Sequence, residues 1–259
     1  MRLMRTSAAA LLLVVGSAGC GVLNTDGFAM PGLRRGVDVP SRVGQVAAAP
    51  LGSPALAPLG TGGYAFSMTN DDGSPVTFDP CRPIHVVVRP DQQPAGGAEL
   101  LLWALGQVSG ATGLTFIMDG PTTEPPTRDR RAFQPERYGD RWAPVLIAWA
   151  DASDPMLGFG VLGRAGPDSF GTNKAGSLRY VSGVAVFNGP EIDGQLRTGD
   201  EEKARAVLLH ELGHLVGLAH VADPYQVMYD TNAYPLSRYR DGDRRGLERL
   251  GLGRCFHDY

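Results

Sequence analysis

Along residues 64–78, YAFSMTNDDGSPVTF, apolar and polar positions alternate on either side of DDGS, which predicts a hairpin. PIHVVVRP (83–90) is a β-branched strand closed by proline, with His85 expected to be packed or at the surface rather than a ligand. AELLLWALGQVSGATG (98–113) predicts a helix, with Leu101, Leu105 and Val108 on one side and glycines ending it. LTFIM (114–118) then reads as a second strand. From Asp119 to Trp142 the text turns polar and rich in Pro and Arg, which predicts a long surface loop whose arginines form a solvated face. PVLIAWA (144–150) is almost continuously apolar and is expected to be a central strand.

LGFGVLGRAGP (157–167) reads as a glycine-punctuated strand near an edge. RYVSGVAVFNG (179–189) sets Val181, Gly183, Ala185 and Phe187 against Ser182, Val184 and Val186, as a strand does. A longer helix follows, for which Thr198 and Glu201 are placed to form a capping box. Ala204, Val207, Leu208, Leu212, Leu215 and Val216 give it apolar faces wide enough for burial. Strand, helix, several strands and a late helix imply an α+β domain with a mixed sheet. There is no internal repeat and no apolar run long enough to span a membrane as a helix.

The first 62 residues have a different texture. Arg2 and Arg5 precede an apolar run from Ala8 to Val15, and GSAGC then ends at Cys20, so residues 1–20 read as an export signal. Small residues before a cysteine also resemble a lipobox, with Cys20 as the lipidated residue anchoring the protein to the outer face of the cell membrane. Ser17 stands where that pattern has an aliphatic residue, which leaves ordinary cleavage near Ala18 or Gly19, and a secreted product, as the alternative. Residues 21–62 are rich in Ala, Pro and Gly and read as a flexible tether, with a propeptide as the rival reading. Residues 63–259 are left as the folded domain. With 43% apolar residues and a net charge of −3, the 259-residue chain can bury one sizeable core, and no basic block that would track phosphates suggests a nucleic-acid partner.

HELGHLVGLAH (210–220) holds three of the five histidines. His210 and His214 are four apart, so on an α-helix both imidazoles project from one face a single turn apart, which suits two corners of a tetrahedral zinc site. Glu211 is turned about 100° from His210, where it can lean over an open coordination position without being a ligand. His220 could not reach the same ion along a continuing helix. Gly217 accepts the left-handed conformation that ends helices, so the chain can double back and bring His220 in as the third ligand. The bland alternative, core histidines on a buried helix, would leave three imidazoles and a carboxylate in need of buried partners.

The pattern resembles the HExxHxxGxxH of the metzincin zinc peptidases. ADPYQVMYD places Met228 eight residues after His220, where that family has its Met-turn, and H-x-x-D-P-x-x-x-M-Y is most similar to the matrixin branch. LSRYRDGDRRGLERLG (236–251) resembles that branch's C-terminal helix, with Asp243 matching the second of a pair of aspartates and Gly242 standing where the first would be. The resemblance implies a metzincin-like α+β domain: a mixed twisted sheet, a long active-site helix and a C-terminal helix. It implies an endopeptidase with one catalytic Zn2+ on His210, His214 and His220, Glu211 as general base and acid, and Met228 supporting the histidines from below. The substrate, a protein or peptide, would extend along Val161–Pro167, and residues from Tyr229 to Tyr239 would shape the pocket beyond the scissile bond.

No histidine lies between His85 and His210, so the second, structural zinc of animal matrixins is not expected. Val221 stands where matrixins have a small polar residue, and Tyr229 directly follows Met228, so a zinc-ligating tyrosine two places on is missing. Cys81 and Cys255 are the two cysteines of the domain and are expected to form a disulfide in an exported protein. The alternative makes Cys81 a zinc-capping latency thiol, although no PRCGxPD-like motif is present. A different class of function also stays open, a catalytically silent zinc-binding surface lipoprotein acting as a binding or adhesion module.

Overall fold

Strand Val145–Ala150 is buried along its whole length, and this follows from its place in the sheet. The computed structural model describes residues 39–41, 46–60, 62–171, 178–231 and 236–257. In chain order the elements are β1 (Ala65–Phe66), β2 (Ile84–Arg89), α1 (Gly97–Thr112), β3 (Phe116–Pro121), α2 (Pro135–Tyr138), β4 (Val145–Ala150), β5 (Gly163–Phe170), β6 (Arg179–Asn188), α3 (Gly189–Arg197), α4 (Glu201–Val216), β7 (Leu218–Ala219) and α5 (Asp241–Gly251). The five-stranded sheet has the order β3-β2-β4-β6-β5, with β5 antiparallel to β6 and the other pairings parallel. The expected α+β domain with a mixed sheet is therefore present, with β4 central and β5 at an edge.

Both faces of β4 are covered. Val145, Ile147 and Trp149 pack into the large core that includes α1 and α4, while Leu146 and Ala148 pack with Met156, Leu157, Val184 and Val186 on the other side. This is why its sequence reads as an unbroken apolar run. On β6 the alternation is shifted by one at its start: Ser169 pairs with Tyr180 but Asp168 with Ser182. Val181 is thus the bulged residue, and Tyr180, in place of Val181, joins Ala185 and Phe187 in the α4-side core.

Several expectations change. The DDGS turn forms, with Thr69 bridging Pro75, but the first arm of the expected hairpin, β1, pairs with β7 from the far end of α4. Helix α3 was not among the expected elements, and its first residue, Gly189, was placed at the end of the strand before it. Asn188 caps it by accepting the Glu191 N–H, and proline sits in its first turn, a start signal for a helix. The capping box at Thr198 does not form. Its hydroxyl donates to the carbonyls of Gly194 and Gln195 at the end of α3, and Asp200 is the N-cap of α4.

In the 119–142 loop Arg128, Arg131 and Arg137 are exposed, as expected of a solvated face, but Arg130 is not: its side chain is 3% exposed. Its guanidinium binds both oxygens of Glu124 and donates to Ser182 Oγ and the carbonyls of Gly183 and Pro144. His85, by contrast, is partly exposed against Asp119, as expected of a non-ligand.

Cys81 and Cys255 are joined in a disulfide across 174 residues of sequence. A loop of that length is stabilising by about 5 kcal/mol on the chain-entropy account. With Cys81 in this bond, a latency thiol at that position is ruled out. Residues 46–60 run along the same side of the domain. Ala47 and Leu51 N–H groups donate to Cys81 and Pro80 carbonyls, Ala55 N–H to Gly110, and Ala57 N–H to Glu248 of α5. The packed part of the chain therefore starts upstream of Gly63. The expected export signal, Cys20 and most of the rest of the expected tether lie outside the described residues.

Candidate active site and metal centre

Helix α4 carries His210, Glu211 and His214 into the interior and is buried almost continuously from Ala206 to Val216. It stops at Gly217, whose φ of 117° is in the left-handed region and whose N–H returns to the Gly213 and His214 carbonyls. A side chain there is doubly disfavoured, since a Cβ would also lie 2.8 Å from the Tyr180 ring. The chain then enters β7, pairs with β1, and delivers His220.

The three Nε2 atoms converge: His210 to His214 at 3.0 Å, and His220 to each of them at 3.1 Å. The opposite ring nitrogens of two of them are committed, His210 Nδ1 to the Val227 carbonyl at 2.7 Å and His214 Nδ1 to the Leu218 carbonyl at 2.8 Å. A carbonyl only accepts, so each Nδ1 carries the proton and each of those Nε2 atoms presents a bare lone pair. Burial depresses both rings, His210 to about 4 and His214 well below its usual value, and lowers half-buried His220 as well. Neutral imidazoles with lone pairs crowded on one point are the donor set of a divalent ion. The residues present thus fit the zinc that the motif implies.

Glu211 is fully buried next to this triad. Strand β5 crosses directly over it at Gly163, where a Cβ would stand 2.5 Å from Glu211 Cγ and 3.1 Å from Oε1. The lack of a side chain at Gly163 is what lets an edge strand and a carboxylate share that space. In the sequence this glycine reads only as strand punctuation.

Met228 packs against α4 at Gly213, the residue before His214. Met228 is 1% exposed, and a Cβ on Gly213 would meet its sulfur at 2.5 Å, so the fourth position of HELGH must be small. The turn holding Met228 is fixed twice. Val221 N–H donates to the Met228 carbonyl, closing the loop that follows His220. Asp243, at the start of α5, accepts from the N–H groups of Val227, Met228 and Arg240 at 2.8, 3.2 and 2.9 Å. Burial raises the Asp243 carboxyl, and these three N–H groups work against that rise. Gln226 adds a brace by accepting from the N–H groups of Gly242 and Asp243. Gly242 is forced as well: a Cβ would lie 2.2 Å from the Gly63 carbonyl oxygen, leaving no room for the aspartate that the resemblance places there. Tyr239 then ties this segment to α4, its hydroxyl donating to the Leu209 carbonyl.

The structure thus brings together His210, Glu211, His214, Gly217, His220 and Met228, and it puts Cys81 and Cys255 in a disulfide. Gly163, Gly213 and Gln226 are site residues that the pattern reading missed. A further three-residue group, Asp79 with Cys81 and Cys255, has its sulfurs in that disulfide, and Asp79 accepts from Cys81 and Phe256 N–H groups.

No curated protein matches the chain. A family model described as Matrixin matches residues 156–250, a stretch that takes in β5, β6, α3, α4, β7 and nearly all of α5. Motif, fold and this match agree in making the chain similar to the matrixins, metallopeptidases of the metzincin type.

Proposed function

We propose that the protein is an exported zinc endopeptidase in which His210, His214 and His220 hold the metal and Glu211 moves the protons. The observation that carries this reading is the triangle of Nε2 atoms 3.0–3.1 Å apart, with a fully buried carboxylate one residue from its first corner. When bound, zinc supplies Lewis-acid chemistry, acidifying water and polarising a carbonyl. Glu211 takes the proton of the attacking water and gives it to the departing amine. Val227 and Leu218 carbonyls fix the tautomers of His210 and His214, and Met228 packs on α4 at Gly213, between them in sequence. The free edge of β5, opening beside Glu211 at Gly163, supports an extended peptide as substrate. The disulfide supports an oxidising compartment, consistent with export of the chain by its amino-terminal signal.

The test is zinc content together with cleavage of an unstructured protein substrate, before and after chelation. One zinc per chain, loss of cleavage on chelation and its return with zinc are expected. Stoichiometric zinc with no cleavage would instead favour the silent binding module. The metal-free protein should also be acid-sensitive. With folded-state values below the usual 6.5, the histidines bind fewer protons folded than unfolded. Their contribution is whole above pH ~6.5 and is lost as pH falls toward about 4. Denaturant titrations of the chelated protein across that window check this.

Gly163→Ala provides a finer test of the site. Its methyl group needs the space of Glu211 Cγ. Displacing the carboxylate by even an ångström is expected to lower kcat by about 10²-fold, with zinc content unchanged. Unchanged turnover would mean that Glu211 is not positioned by this contact.

A further inference from the structure

Among the described residues, strand β5 has a strand partner, β6, on one side only, and it runs beside Glu211 at Gly163. Side chains along it alternate between two faces. Gly163 and Ala165 face the core that includes α4, whereas Arg164 pairs with Val186 and stands on the opposite face. Arg164 is only partly exposed, and its Nε is buried with no hydrogen-bond partner among the described residues. Arg128, in the 119–142 loop, adds a like charge to its surroundings. Burial and the Arg128 charge both make the Arg164 cation harder to hold, and the Glu211 carboxylate partly offsets them. Arg128 itself is exposed and donates to the Pro155 carbonyl at 3.3 Å.

Arg82, Arg89, Arg130, Arg141, Arg197 and Arg205 each have a carboxylate within 3.1 Å. Neither Arg128 nor Arg164 has one in an ion pair among the described residues. A cation on an edge strand with a desolvated, unpartnered donor is destabilising unless something negative arrives. A peptide added to the free edge of β5 places every second side chain on the face that Arg164 occupies. We infer that Arg164, with Arg128, selects an acidic side chain of the substrate near the scissile bond. The guanidinium Nε and terminal nitrogens offer a carboxylate the paired geometry that a lysine lacks.

This inference rests on the proposed peptidase reading, and the experiment separates the two. Quenched peptides differing at one position, with Glu, Gln or Lys scanned through four residues on each side of the cleaved bond, are assayed with the zinc-loaded full chain. The wild type is expected to show one position where Glu exceeds Gln in kcat/KM by about tenfold or more. That Glu-to-Gln ratio should fall to near one in Arg164→Gln, shrink in Arg128→Gln, and give way to a Lys preference in Arg164→Glu. Because only ratios are compared, a general loss of activity in a variant does not mimic the result, and Arg128→Gln, at an exposed position, covers the case of poor folding at Arg164. A wild type indifferent to Glu at every position, or a Glu preference surviving both glutamine variants, overturns the inference. If the wild type cuts no peptide, the peptidase reading fails on its own. Fluorescence-polarisation binding of the same Glu and Gln peptides then decides the acidic site, with equal affinities counting against it.

Discussion

Glu211→Gln is expected to retain one zinc per chain and to lose about 10²–10⁴-fold in kcat, the range for removal of a general acid–base. Glutamine has almost the same volume, so the packing under Gly163 and against the core is preserved while the ability to accept a proton is removed. The alternative role for a fully buried carboxylate is structural. It predicts the opposite pattern, since neutralising a buried charge leaves stability equal or higher and does not touch turnover. Single-turnover cleavage of a peptide, zinc by atomic absorption and a thermal melt, run on the two proteins side by side, tell these roles apart. Equal cleavage by wild type and Glu211→Gln would remove the proposed proton transfer.

The histidine cluster was legible because it depends on local geometry. Four residues along a helix put His210 and His214 on one face, and a glycine that tolerates φ near 117° lets the chain return with His220. The central strand was legible for a similar reason, since a run buried on both faces has to be apolar throughout. What sequence did not show depends on long-range approach. Gly163, Gly213 and Gly242 look alike as letters, yet each is required by a different neighbour: Glu211, the Met228 sulfur and the Gly63 carbonyl. The partner of β1 lies about 150 residues away in β7, so a hairpin was the nearest local guess. Thr198 had the right spacing for a capping box, but α3 ends there and uses its hydroxyl first. Residues 46–60 have too little bulk to predict packing, and they are held by backbone donors to the disulfide region and α5 instead.

Arg130 is the largest departure of this kind, and it leads to the second large effect, a loss of about 3–5 kcal/mol in Arg130→Ala, the cost of breaking a buried ion pair from one side. Glu124 would be left inside with only Gln134 and Tyr138 as donors, at 2.6 Å each. Burial by itself raises the Glu124 carboxyl; the Arg130 guanidinium, then Tyr138 and Gln134, outweigh it and hold the group below its ordinary range. By linkage, this pair stabilises the fold above the unfolded-state value for Glu, near 4.3, and its contribution is lost as pH falls through the lower folded value. The same guanidinium also ties the loop to β6 at Ser182 and Gly183 and to the Pro144 carbonyl at the entry of β4. Gly183 packs on Leu215 of α4, so loosening this corner weakens the support of the helix that carries the histidines. A typical domain has only about 5–15 kcal/mol in total, so Arg130→Ala is expected to be largely unfolded at moderate urea. Replacing both partners with apolar residues, Arg130→Met with Glu124→Leu, should recover much of the loss, because no charge is then left unpaired. Urea titrations of the single and double variants measure this, and a double variant no more stable than Arg130→Ala would show that the carbonyl contacts, not the ion pair, hold the loop.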